Sequence, residues 1–93
     1  MNKDLLLFLS KPEAKPILEY LFKVEDYRKR VTDMSIEMNI LQSTISKMVI
    51  VLKERKIVEE SISGRSAYLK PHKAKVLELL NIIDKLENLD DIV

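Results

Sequence analysis

Apolar positions recur at helical spacing in five stretches of this chain, and two short β-prone runs lie between the fourth and the fifth. From Asp4 to Leu9 the residues are almost all apolar, and Leu5 to Leu9 wrap around more than one helical face. That density predicts a short helix covered on two sides, by its own core and by a partner. Ser10 and Pro12 interrupt it, since a proline suits a helix start and the residue before it avoids helical geometry. Pro12 to about Val24 is the next helix, with Ile17, Leu18, Leu21 and Phe22 forming one stripe. Pro16 is tolerated only in a first turn, which places the start near Pro12 or Glu13. Glu25 to Arg30 carries no apolar period and reads as a polar connector.

Val31 to Met38 reads as a third helix, with Thr32 as N-cap and Asp33 at the positive helix end. Met34 and Met38 point inward, and Ser35 is small enough for a second helix to cross closely. Asn39 ends the helix, because asparagine tolerates the left-handed conformation, and Ile40 plugs the core behind it. The fourth helix starts at Leu41 or Gln42 and runs to about Arg55. Ile45, Met48, Val49 and Leu52 are its buried stripe. The opposite face holds Ser43, Ser46, Lys47, Ile50 and Glu54, with Gln42 and Thr44 near its start. Short polar side chains in that arrangement suit a groove about 12 Å wide lined with donors and acceptors.

Ile57–Ser61 and Ala67–Lys70 are strand candidates, and residues 62–66 form the turn between them. Gly64, the one glycine, sits where a positive φ is needed. Pro71 opens the last helix, which runs to about Leu89. Val76, Leu79, Ile83 and Leu86 make a seam with a period near 3.5, and Leu77, Leu80, Ile82 and Leu89 widen it. A helix this apolar on two sides predicts a dimer contact.

Composition narrows the reading. Ninety-three residues suit one domain. The absence of cysteine excludes disulfides and leaves no thiolate for a metal sensor, and His72 beside Pro71 reads as a helix-start residue. No apolar run reaches membrane-spanning length, and the apolar start is short for a secretion signal, so an intracellular protein is expected. There is no phosphate loop, nucleophile–base pair or ligand cluster, so neither catalysis nor a cofactor is expected. Net charge is +1, but it is unevenly placed. Residues 41–75 hold eight basic and three acidic residues, whereas residues 76–93 hold one basic and five acidic residues. The basic block coincides with the fourth helix and the hairpin.

The segment VTDMSIEMNILQSTISKMVIVLKERKIVEE resembles the helix-turn-helix, recognition helix and first wing strand of winged-helix regulators of the MarR and ArsR type. SKPEAKPILEYLF looks like the ArsR-type opening segment, and SGRSAYLK looks like the wing, where that family often carries an arginine. The resemblance covers residues 10–86. Asn39 and Lys56 stand where glycine is usual, and Leu41 where a capping Ser or Asp is usual. Small versions of this fold are familiar in archaea and their viruses. The resemblance implies a mainly α fold with a small β-hairpin, spanning 1–93 as one winged-helix domain. The helix-turn-helix would cover about 32–55, the wing about 57–70 and the dimer helix about 72–89.

It also implies a homodimeric, sequence-specific binder of double-stranded DNA, acting on an inverted repeat. Gln42, Ser43, Thr44, Ser46, Lys47 and Ile50 would face the major groove. Ser63 and Arg65 would lie at the minor groove, and Lys53, Arg55, Lys70, Lys73, Arg28 and Arg30 would reach phosphates. Leu5, Phe8, Leu9, Val76, Leu79, Leu80, Ile83 and Leu86 would form the dimer interface. Whether a small molecule regulates it is open. The competing expectation is a winged helix that binds protein and not DNA.

Overall fold

The computed structural model describes residues 3–92, with side chains described for residues 3–88. Along the chain run α1 (Lys3–Ser10), α2 (Ala14–Lys23), α3 (Val31–Met38), α4 (Gln42–Glu54), β1 (Val58–Ser63), β2 (Ser66–Pro71) and α5 (Lys73–Ile92). The strands pair antiparallel, from Val58 opposite Pro71 to Ser63 opposite Ser66. This is the mainly helical order, with one hairpin, that the apolar periods predict. The side chains of Leu89, Asp90 and Asp91 lie outside the described residues.

Each stripe goes where its period sends it. Ile17, Leu18 and Leu21 of α2, Met34 of α3, Ile45 and Leu52 of α4, and Val76 of α5 are fully buried together. Helix α2 packs along α5, α3 crosses α4, and α1 lies against α2 and α4. Pro16 is the third residue of α2, inside the first turn, where its missing N–H costs nothing.

The turns are made largely without glycine. Asn39 adopts φ 55° and ψ 45°, and its N–H reaches the Ser35 carbonyl. The Ser35 hydroxyl donates to the Ile40 carbonyl at 2.7 Å, closing the turn between α3 and α4. After α4, Lys56 takes φ 59°. Its N–H bonds the Lys53 carbonyl at 3.0 Å, and the Ile57 N–H bonds the Leu52 carbonyl at 2.9 Å. Those two bonds form a Schellman motif with lysine in the position glycine usually fills. The hairpin turn is shorter than the sequence predicts, because both strands continue to Ser63 and Ser66 and only Gly64 and Arg65 remain. Gly64, at φ 62°, takes the first central position, where a II′ hairpin turn calls for glycine.

Two helix ends differ from expectation. Thr32 is exposed in the first turn of α3, and Arg30 holds the cap position instead. The Asp33 carboxylate accepts the Arg30 backbone N–H at 2.9 Å and two guanidinium N–H bonds at 3.0 Å. Arginine has no acceptor, so only the carboxylate half of a capping box exists. These bonds from the Arg30 side chain, and then from its backbone, hold Asp33 down to about 2, against an ordinary value of 3.8. The stabilisation is complete above the ordinary value and is lost as pH falls through about 2. Asp33→Asn is therefore expected to lower stability at neutral pH and to shrink the further loss between about pH 4 and 2. Urea midpoints across that range check it.

The second difference is at the end of α2. Lys73 was a candidate phosphate contact, but its ammonium donates to the Leu21 carbonyl at 2.9 Å, the Phe22 carbonyl at 2.7 Å and the Val24 carbonyl. It caps the open carbonyls of α2 from the first turn of α5, and burial lowers its pKa. A lysine so committed has no donor aimed outward. Lys73→Met is expected to destabilise the fold by about 1–2 kcal/mol, read by denaturant unfolding.

The terminal helices require a further correction. Phe8, Leu9, Val76, Leu79 and Ile83 belong to the core of the single chain, each under a tenth exposed, and Leu5 and Leu80 pack partly against it. Side chains already dry in one chain have little area to offer a second. The apolar surface left over is Leu6, Leu7, Leu77 and Leu86, all about half exposed. Residues 84–88 of α5 are exposed throughout, with Glu87 paired to Lys15 of α2 at 3.1 Å and Leu86 bordering a cleft shared with Leu9 and Pro12.

Candidate nucleic-acid interface

Helix α4 presents the face that its buried stripe leaves free. Gln42, Ser43, Lys47 and Ile50 are exposed, and Thr44 and Ser46 are half-buried at its margins. Glu54 ends that face with a negative charge. Leu41 takes the cap position without any side-chain hydrogen bond, so the first N–H groups of α4 have no side-chain cap of their own. Lys47 has no ion-pair partner among the described residues. It shares a cleft with Lys11, Glu13, Thr44 and Met48, which places the loop before α2 beside the start of α4.

The wing stands next to this face. Lys53 of α4 and Glu60 of β1 form an ion pair at 2.5 Å that ties helix to hairpin. At the tip, Ser63 and Arg65 are exposed, and Arg65 has no ion-pair partner among the described residues. Arg30, Thr32, Glu60, Arg65 and Ser66, with Val31 and Ala67, line a cleft of about 160 Å³ between the start of α3 and the wing. The Arg30 guanidinium also lies 5.9 Å from the centre of the Tyr68 ring and 3.4 Å from the Ser66 hydroxyl.

Neighbours thin out the candidate cations. Arg30 is held by Asp33, and its pKa is raised by that pairing. Arg28 lies 3.6 Å from Glu25, both well exposed. Lys53 is neutralised by Glu60, and Lys70 is half-buried with its ammonium 5.9 Å from the Tyr27 ring centre. Lys73 caps α2. Lys47, Arg55 and Arg65 remain without an acidic partner, a carbonyl bond or a ring contact among the described residues. Charge counted along the chain overstates the charge available, because cations near acidic side chains or open carbonyls are already spent.

Three features are missing from the sequence reading. Ile62 is 77% exposed on the wing, two residues before Gly64. Leu41 is 75% exposed at the start of α4, and Ile36 on α3 is as open. Their apolar type gave no warning, because apolar residues read as core by default. The connector is also structured. Tyr27, at φ 59°, donates its N–H to the Leu69 carbonyl at 2.8 Å, and the Leu69 N–H returns a bond to Lys29 at 2.8 Å. Tyr20 donates to Glu37 at 2.5 Å and Lys29 lies 3.0 Å from the same carboxylate, so α2, the connector and α3 lock together behind the α4 face. Burial, then the bond to Glu37, pushes the Tyr20 hydroxyl pKa up, and the Tyr20 and Lys29 bonds pull Glu37 down.

A helix pair closed by a left-handed turn, an outward polar face on its second helix, and a hairpin tied beside that helix together define the winged helix-turn-helix fold. Solved structures share it at low sequence identity. The AntR antimony-specific transcriptional repressor superposes with a TM-score of 0.66 at 18% identity, over 96% of this chain and 78% of that one. A predicted DNA-binding transcriptional regulator from E. coli superposes with a TM-score of 0.63 at 16% identity, over 91% of this chain and 84% of that one. No family model and no curated protein matches the sequence. The likeness is one of fold. Among the described residues no helix is long and apolar enough to cross a membrane, and no group of three or more His, Asp or Glu side chains is placed to hold a metal ion.

Proposed function

We propose that this chain is a DNA-binding transcription regulator that acts as a homodimer on a specific double-stranded site. The observation that carries the proposal is the pairing of an unshielded polar face on α4, Ser43 with Lys47 and Gln42, with an unpaired arginine at the adjacent wing tip. Both solved neighbours are described as transcriptional regulators or repressors, which supports the same reading. In it, α4 enters a major groove, Arg65 follows the neighbouring minor groove, and Lys47, Arg55 and Arg65 supply charge toward phosphates. A symmetric dimer implies half-sites about one helical turn apart, roughly 34 Å. Selection of duplexes from a random pool is expected to return an inverted repeat with that spacing. Recovery of unrelated sequences would remove the claim of specificity.

A protein-binding winged helix is the second reading. It is favoured by Ile36 on α3 and Leu41 at the start of α4, two large apolar side chains each 75% exposed. No duplex binding at low salt would select it.

A further inference from the structure

This inference rests on the reading of α4 as the helix that enters DNA. Ile50 occupies the middle of the outward face of α4 and is 52% exposed. Ser46 and Lys47 stand one turn before it and Glu54 one turn after it, all polar. Ile45, Met48, Val49 and Leu52 bury the other side of the helix, and Ile50 lies outside the hydrophobic core they join. An isoleucine offers no hydrogen bond to a base edge or a phosphate. In a major groove its one favourable match is the thymine C5-methyl group, the apolar feature of the four base pairs.

The rest of the face points the same way. From Gln42 to Glu54 it carries no arginine, the residue best shaped for a guanine edge. Its two lysines are Lys47 and Lys53, and Lys53 is occupied by Glu60. Gln42, by contrast, has the amide that pairs with adenine. We infer that Ile50 is a specificity-determining residue that reads a thymine methyl, so the part of each half-site facing the middle of α4 contains an A·T pair. The wing residue Ile62 and the α3 residue Ile36 lie off this face and take no part in that contact.

Uracil has thymine's base-pairing edge and lacks only the methyl. Duplexes of the selected site, with thymines replaced one at a time by uracil, are titrated with the wild type, Ile50→Ala and Ile50→Val. The wild type is expected to lose about fourfold in affinity at one thymine per half-site, the equivalent of one buried methyl group. Ile50→Ala is expected to bind the thymine and uracil duplexes alike at that position. Ile50→Val, which keeps both γ-carbons and loses only the δ-methyl group, is expected to retain most of the discrimination. Equal wild-type affinity for thymine and uracil at every position overturns the assignment while leaving DNA binding intact. Undiminished discrimination by Ile50→Ala overturns it too, by placing the methyl contact elsewhere. A wild type that binds no duplex removes both the assignment and the function beneath it.

Discussion

Affinity for the selected duplex is expected to fall about 10³-fold between 50 and 200 mM salt, as for some six neutralised phosphates. The estimate follows from the geometry more than from the sequence. Eight basic residues fall in 41–75, but of the candidates only Lys47, Arg55 and Arg65 are free of acidic partners, carbonyl bonds and the ring contact that Lys70 makes with Tyr27, among the described residues. Three per subunit in a dimer give roughly six contacts and a slope near −5 in log affinity against log salt. Lys47→Ala removes one contact from each subunit and should flatten that slope by about 2. Lys73→Met should leave the slope unchanged, because its ammonium serves the carbonyls of Leu21, Phe22 and Val24. Fluorescence anisotropy across a salt series, with wild type and both variants, reads all three. A slope that flattens with Lys73→Met and not with Lys47→Ala would move the DNA face away from α4.

Leu86→Glu is expected to convert a dimer to a monomer without unfolding it. Leu86 is 48% exposed in a stretch of α5 whose residues are all exposed in the single chain. Burying a new charge there against a second copy would cost about 3–5 kcal/mol, enough to shift the equilibrium about a hundredfold or more. Ile83→Glu makes the contrast. Ile83 is 6% exposed within the core, so a charge there attacks the fold itself. Sedimentation at micromolar concentration, beside circular dichroism, should show a folded monomer for Leu86→Glu and loss of helical signal for Ile83→Glu. A wild type that is itself monomeric, or a dimer unmoved by Leu86→Glu, would contradict the assignment of this surface.

How much of this was legible in the sequence depends on the range of the interaction concerned. The elements were, because apolar spacing is local: Ile45, Met48, Val49 and Leu52 announce both the helix and its buried side. So was the turn at Asn39, since asparagine is one of the few residue types that favour the left-handed conformation. The Schellman turn was half legible, as Lys56 takes a glycine's conformation with nothing in its own chemistry to signal it. The roles of the cations were not legible. Lys53 meets Glu60 across helix and strand, and Lys73 reaches carbonyls about fifty positions earlier in the chain, so each pairing exists only once the fold does. The division of apolar residues between core and partner failed for the same reason. A dense run such as Leu5–Leu9 says that two faces are apolar, but the packing of α1 on α2 and α4 decides that Phe8 and Leu9 go inside and Leu6 and Leu7 stay out.

The most direct test of the central claim is a map of backbone amide shifts as the selected duplex is titrated into the labelled protein. The account predicts the largest changes over residues 41–50 and 62–66, with smaller ones at Arg55 and none along the exposed stretch of α5 at 84–88. Changes concentrated in α5, or an unchanged α4 in a protein that demonstrably binds the duplex, would contradict it.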